Sequence, residues 1–455
     1  MIPPNVNLSR IIFRINRSLP AVALAILISL PSSILLAEET LLAAAESVEP
    51  PVLVPSDPEP SADADAPLPV ANATGESAGI DSGMPRRFHY TFDLTVRSVY
   101  DDNINLTKDN RISDIYTTIE PSISLGLGDT LERKENYARL DYLASAFLFA
   151  DHSENNALQH VIRLEGQYRV SRLTLTLSQI VQIMDGTDVR TTNDTDGFDQ
   201  VVNLDVAGRT RFNVYTTHFN AAYYLTGKTF LSTGADYSRS DYQTLISSEV
   251  VAANLFFNYN YSPKLIVGVG GTAGYNWVDA PNPDQSFTQA NVRLSYRVTG
   301  KLDFLASGGV EFRDFKGAGA ADQNVSPVYR IGLNYAPFDG TKLSLKAHGR
   351  TLNSAVLGGQ DYTVADFTIA VQQRFLKRFY FGLNAGYEHA DYFSTVTSVS
   401  SSRDDDYFFV EPSVAVRVTR FWTVGAYYMH RENTSSLDAF SFHDNQVGLR
   451  TSLTF

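Results

Sequence analysis

The sequence predicts an all-β chain, a transmembrane antiparallel β-barrel of about eighteen strands. Three observations carry that prediction: side chains that alternate apolar and polar along successive segments, connections whose length follows strand parity, and an aromatic residue at the last position. Each can be justified from the residues.

Alternation comes first. From Lys264, the residues Leu265, Val267, Val269, Gly271, Ala273, Tyr275 and Trp277 are apolar or small, while Gly268, Gly270, Thr272, Gly274 and Asn276 between them are small or polar. Alternate side chains on a strand point to opposite faces, so one face suits lipid and the other water. The same pattern sets Val292, Leu294, Tyr296 and Val298 against Asn291, Arg293, Ser295 and Arg297. It also sets Tyr329, Ile331, Leu333 and Tyr335 against Arg330 and Asn334. Strands are expected to start near residues 88, 113, 136, 157, 172, 210, 229, 249, 264, 286, 301, 326, 341, 362, 378, 405, 421 and 443. After residue 37 no apolar run approaches the ~18 residues of a membrane helix.

Connection length is the second observation. After even strands the turns read as brief, for example Val170-Ser171-Arg172, Thr226-Gly227-Lys228, Ser262-Pro263-Lys264, Thr299-Gly300-Lys301 and Asp339-Gly340. After odd strands the chain wanders through polar stretches: Asp101 to Ser113, Asp185 to Gly208, Phe315 to Ser326 and Ser394 to Asp406. An outer-membrane β-barrel with short periplasmic turns and long extracellular loops has that asymmetry. A soluble all-β repeat, the competing architecture, has no reason for it. The third observation is Phe455, which shares a face with Val447, Leu449, Thr451 and Leu453. A final strand ending in an outward aromatic resembles the barrel-insertion signal of that membrane.

Composition agrees. Tyr 24 and Phe 27 stand against Met 4 and Trp 2, and a mean hydropathy of -0.14 fits strands that show only one face to lipid. With Cys 0 there is no disulfide framework or thiolate site, and a net charge of -13 argues against nucleic-acid binding. Arg10, Arg14 and Arg17 precede the apolar stretch Leu19 to Leu30, which reads as a signal peptide over residues 1–37. Ala43 to Ala45 offer a second cleavage point, and a retained anchor is the competing reading. Residues 38–86, rich in Pro, Ala, Asp, Glu and Ser, read as a disordered acidic periplasmic linker, which leaves 87–455 for the barrel. The C-terminus and the linker are then periplasmic.

If the apolar face meets lipid, the other lines a lumen. Inward cations predicted by parity include Arg293, Arg297, Arg330, Lys342, Lys346, Arg350 and Arg374, a basic wall that would favour anions in a narrow wet pore. The competing reading is a salt-bridged ladder that stiffens the barrel. By analogy with trimeric porins, whose corresponding loop folds inward, the loop from Asp185 to Gly208 would constrict the channel through Asp185, Asp188, Arg190, Asp194 and Asp196. An exposed polar loop is the alternative. Asp404-Asp405-Asp406 and Asp101-Asp102 raise calcium, but without EF-hand spacing they read as solvated acids, and no metal site or cofactor is assigned. The histidines at 89, 152, 160, 218, 348, 389, 430 and 443 form no metalloprotease motif, and no nucleophile elbow is present, so no catalytic residue is assigned.

One segment resembles a known family. Val96-Arg97-Ser98-Val99-Tyr100-Asp101-Asp102-Asn103-Ile104, followed by Ser113-Asp114-Ile115-Tyr116-Thr117-Thr118-Ile119-Glu120-Pro121-Ser122-Ile123-Ser124-Leu125, is similar to the opening of the Putative beta-barrel porin 2 family. The resemblance implies an outer-membrane channel, for passive transport or export of polar solutes, with oligo- or polysaccharide as one class. It also implies a setting among exopolysaccharide systems. The alternative is a non-conducting structural anchor. Expected partners are outer-membrane lipid and lipopolysaccharide, the barrel-assembly machinery and polysaccharide export components, with no nucleic acid.

Overall fold

The structure, a computed structural model, describes residues 88–128, 136–186, 204–206, 208–400 and 403–455. Eighteen strands follow one another: β1 (Phe88–Asp101), β2 (Asp114–Gly128), β3 (Tyr137–Phe149), β4 (Ala157–Val170), β5 (Leu173–Gly186) and β6 (Thr210–Tyr224). Then come β7 (Thr229–Tyr242), β8 (Ser248–Ser262), β9 (Leu265–Val278), β10 (Gln285–Thr299), β11 (Leu302–Phe315) and β12 (Asn324–Tyr335). The last third is β13 (Thr341–Asn353), β14 (Gln360–Phe375), β15 (Phe379–Ser394), β16 (Asp404–Arg417), β17 (Trp422–Ser435) and β18 (Phe442–Thr454). Each strand pairs antiparallel with its sequence neighbours, and β1 pairs with β18, so the sheet closes on itself. Every strand begins within two residues of its expected position. The expected signal peptide and linker lie outside the described residues.

The two faces separate as the alternation requires. In β1 and β2 the large apolar groups Tyr90, Phe92, Tyr100, Ile115, Ile119 and Leu127 are exposed on the outside, while Arg97, Val99, Asp114, Tyr116 and Thr118 are buried on the inside. An exposed apolar band of that extent is costly in water and satisfied in lipid. Among the described residues no helix is long and apolar enough to cross a membrane; the strands do so. They run from 12 residues in β12 to 16 in β14 and β15, longer than the ~9–11 that cross a bilayer, so their tips stand clear of it.

The surplus strand length corrects the loop boundaries. Asp185 belongs to β5 and Asp404–Asp406 to β16, because cross-strand pairs such as Asp185↔Arg211 and Asp405↔Ser435 carry the ladders past the bilayer. The parity of connection length is also looser than expected. The β2–β3 connection spans residues 129–136, whereas the connections at 243–247, 279–284 and 354–359 after odd strands are compact. The longest connection is 187–209, after an odd strand. The two ends of the ring are hereafter the short-turn end and the long-loop end.

Glycine has a packing role on the inner face of β9. A Cβ at Gly268 would fall 2.4 Å from Asn258 Oδ1 and 2.9 Å from Arg293 Cγ, and one at Gly274 would fall 2.3 Å from Phe287 Cζ. The missing side chains let Arg293 and Phe287 lie flat on the wall instead of filling the lumen. At the seam, Phe455 exchanges backbone hydrogen bonds with Phe92 (2.9 and 3.1 Å), and its ring stacks on Phe421 at 6.4 Å. The final residue therefore completes the closure between last and first strands.

Candidate functional site: the lumen wall and the docked loop

The inward positions of β12, β13 and β14 are the even-numbered ones, as shown by buried Ser326, Val328, His348 and Val364 against exposed Val325, Ile331 and Phe367. They place Arg330, Lys342, Lys346, Arg350 and Arg374 on three adjacent strands, with Asp366 as the carboxylate among those positions. Register brings Arg330 opposite His348 and His348 opposite Asp366, which in turn faces Glu388 on β15. Nearer the short-turn end, Lys346 faces Gly332 and Thr368, and Lys342 faces Gln372. The row is therefore mixed at the level of His348 and basic below it.

The other expected wall residues are tied locally. Arg293 donates to Asn258 Oδ1 (2.8 Å) and Ser232 Oγ (2.7 Å) and lies 4.4 Å over the Phe256 ring. Arg297 pairs with Asp303 at 3.3 Å at an exposed rim. Elsewhere on the inner face cations are matched: Arg97 with Glu120, Arg139 with Asp141 (3.0 Å), and Arg313 with Glu311 (2.8 Å). Much of the lumen is thus the stiffening ladder, while β12–β14 carry five inward cations on adjacent strands.

At the long-loop end the connection between β5 and β6 turns inward. Leu204 packs in an apolar cluster with Leu106, Tyr407, Phe409 and Phe442. The Asp205 carboxylate accepts hydrogen bonds from Ser354 Oγ (2.7 Å), the Ala355 N–H (2.5 Å) and Tyr392 Oη (3.1 Å). Arg403 then clamps the segment: it donates to Leu204 O (2.7 Å) and Asp205 O (3.1 Å) and pairs with both oxygens of Asp405. Its guanidinium sits 3.5 Å from the Phe440 centroid and 4.4 Å from that of Tyr392. Burial pushes the Asp205 carboxyl up from its ordinary value, against the pull of Ser354, the Ala355 N–H, the Arg403 charge and Tyr392.

The topology makes this contact informative. In a ring of eighteen, the strand opposite β5 is β14 and the strand opposite β6 is β15, nine places on in each case. A loop rooted at β5 and β6 that meets Ser354 beyond β13, Tyr392 on β15 and Arg403 before β16 reaches across the mouth. Eighteen strands ~4.8 Å apart and tilted ~40° give a backbone radius of about 18 Å. The five residues from Asp205 to Thr210 extend at most ~18 Å, about one such radius, so the far-side residues that bond Asp205 lean in over the opening to meet it. Neighbouring loops join it: Gly359 donates to Asn282, and Ala321 N–H donates to Thr395 O.

Of the residues expected at a constriction, Asp185 sits on the wall, paired with Arg211 at 2.6 Å and Arg209 at 3.7 Å. Asp188, Arg190, Asp194 and Asp196 lie outside the described residues. The docked pair Leu204 and Asp205 and the clamp Arg403 were not singled out; the available hint was Leu204, an apolar residue inside a polar loop. Asp404–Asp406 do not converge as a chelate. Asp405 is buried against Arg403, while Asp406 accepts from Tyr387 and lies 2.9 Å from His389 Nδ1. Asp101, Asp102 and Asp444 do gather, but they already accept from Gln446, Asn445 and Arg431.

Residues 75–455 match the family described as Putative beta-barrel porin 2. No curated protein matches the chain. Among solved structures, the outer membrane protein opdK from Pseudomonas aeruginosa aligns at 12% identity over 81% of this chain and 99% of its own, with a TM-score of 0.39. OccAB3 from Acinetobacter baumannii aligns at 12% identity over 80% and 99%, with a TM-score of 0.39. The FrpB iron transporter from Neisseria meningitidis aligns at 11% identity over 82% of each chain, with a TM-score of 0.41. A closed eighteen-strand ring with an apolar outer face, joined to a family match that runs through the last residue, makes this chain an outer-membrane protein of the Putative beta-barrel porin 2 family.

Proposed function

We propose that the barrel is a channel for polar solutes, passive or serving export, with oligosaccharide or polysaccharide chains among its substrates. Its short-turn end and both termini face the periplasm. The observation that carries the reading is the wall: a closed ring, apolar outside and polar inside, with Arg330, Lys342, Lys346, Arg350 and Arg374 on adjacent strands. A ring of about 18 Å backbone radius has room for hydrated solutes inside its side chains. The basic sector raises the local concentration of anions, and the clamped loop sets the size limit at the outer mouth.

Conductance of the refolded barrel in planar bilayers tests the channel. A folded barrel that passes no current in any state sinks it. Anion-to-cation permeability tests the wall: replacing Arg330, Lys346 and Arg350 together with Gln should move selectivity toward cations, and unchanged selectivity removes the sector from the mechanism.

A further inference from the structure

Among the described residues the connections at the two ends of the ring carry opposite charge. Seven short turns are described, and six of them hold an exposed cation: Arg172, Lys228, Lys264, Lys301, Lys377 with Arg378, and Arg420. Among the described residues the carboxylate in these turns is Asp339. Among the described residues the turn cations have no carboxylate partner; Lys264 and Lys301 donate to the backbone carbonyls of Val298 and Pro337. At the long-loop end the described loops are acidic, with Asp102, Asp109, Asp151, Glu154, Asp279 and Asp284. Of the cations there, Lys108 pairs with Asp438 (2.6 Å) and Arg403 with Asp405 (2.6 Å), while Arg111 is exposed.

Spacing allows the turn cations to act together. Successive turns lie two strands apart, about 12 Å along the circumference, which is close to one Debye length of ~10 Å at 0.1 M salt. Their fields therefore merge at low ionic strength and separate at high. The charge also continues inward. Lys342, Arg374 and Arg417 occupy inward positions near the same end, so the rim leads into the basic sector of β12–β14. A headgroup-binding ring on the outer surface would have no reason to continue down the inner wall.

We infer that the short-turn mouth is a capture site for linear polyanions, polymers bearing repeated carboxylate, sulfate or phosphate groups, which enter the barrel from that end. This rests on the channel reading and adds a substrate class and a side. The bias lies in the rate of capture: the basic rim attracts the chain, and the acidic loops at the other end slow entry from there.

The test is one-sided block of the open channel by dextran sulfate, with uncharged dextran of equal size as the control. Orientation is set by Gly227→Cys in a chain that otherwise has Cys 0, modified by an impermeant thiol reagent from a known side. A Cβ at Gly227 meets nothing within 4 Å, so that substitution leaves the turn intact. Dextran sulfate added at the short-turn side should block at least ten-fold more often than from the other side at low salt, with the ratio falling toward one as salt rises. Replacing Lys228, Lys264, Lys301, Lys377 and Arg420 together with Gln should abolish the ratio in a barrel that still conducts. Equal block from both sides in a conducting wild-type channel overturns the inference and leaves the channel standing. A ratio that survives the fivefold replacement, or that vanishes when anionic lipid is exchanged for neutral lipid, also overturns it, the latter by assigning the ring to lipid. A folded barrel that never conducts removes the channel and the inference together.

Discussion

Arg403→Ala should release the loop that crosses the mouth. The guanidinium is fully buried and serves three partners at once: the Asp405 carboxylate, the carbonyls of Leu204 and Asp205, and the rings of Tyr392 and Phe440. Removing one member of a buried pair leaves the other charge uncompensated, at a cost of about 3–5 kcal/mol. Loss of the two bonds to loop carbonyls adds ~1 kcal/mol each. Part of this cost falls on the Asp405 environment and not on docking. Taking about 3 kcal/mol for docking alone, the ratio of docked to undocked loop drops by a factor of ~10². Single-channel recording should show a larger conductance with the short-lived closures of a loop sampling open positions. Limited proteolysis should cut between residues 187 and 203 faster than in wild type. Arg403→Lys should restore little, since an ammonium cannot fork between Asp405 and two carbonyls. If Arg403→Ala leaves conductance, noise and proteolysis unchanged, the clamp does not hold the loop.

Three further outcomes follow from the same geometry. Leu204→Ala empties a site between Leu106, Tyr407, Phe409 and Phe442 and should weaken docking by about 2–4 kcal/mol, read as the same conductance increase without any change of charge. For Asp205, burial raises the carboxyl in the docked state, so docking is at full strength below the ordinary value of 3.8 and weakens as pH rises through the raised one. Conductance should therefore climb with pH over that interval, and Asp205→Asn should flatten the profile; a pH response that persists in Asp205→Asn assigns it to another group. Deleting Phe455 removes two backbone bonds to Phe92 and the stack on Phe421, and should lower the yield of folded, heat-modifiable barrel in a lipid-vesicle refolding assay, with an unchanged yield contradicting its role at the seam.

The strands were legible because their information is local. A period of two, broken by residues such as Ser262-Pro263-Lys264, locates β8 and β9 without knowledge of the ring. Parity then sorts side chains between lipid and lumen. What parity does not carry is which inward charges meet. Arg313 is an inward cation in the sequence, but its pairing with Glu311 and Gln285 depends on rotamers within and across strands. The mouth was least legible. Leu204, Ser354, Tyr392 and Arg403 come from regions that no periodicity links, and their meeting depends on ring size and the reach of a single loop. Asp404–Asp406 depart from the expected solvated loop for a related reason: they lie on a strand, which sends alternate side chains to opposite faces and buries Asp405 against Arg403.

The seam between β1 and β18 has a consequence for how the molecule comes into being. Seventeen of the ladders join strands adjacent in sequence, and each can zip from its own hairpin; the eighteenth joins Asp93 to Thr454 and closes a loop the length of the domain. Until that ladder forms, the sheet ends in two unsatisfied edges, each a template for another chain. Because Phe455 bonds to Phe92 at that seam, the ring keeps both edges until β18 is in place.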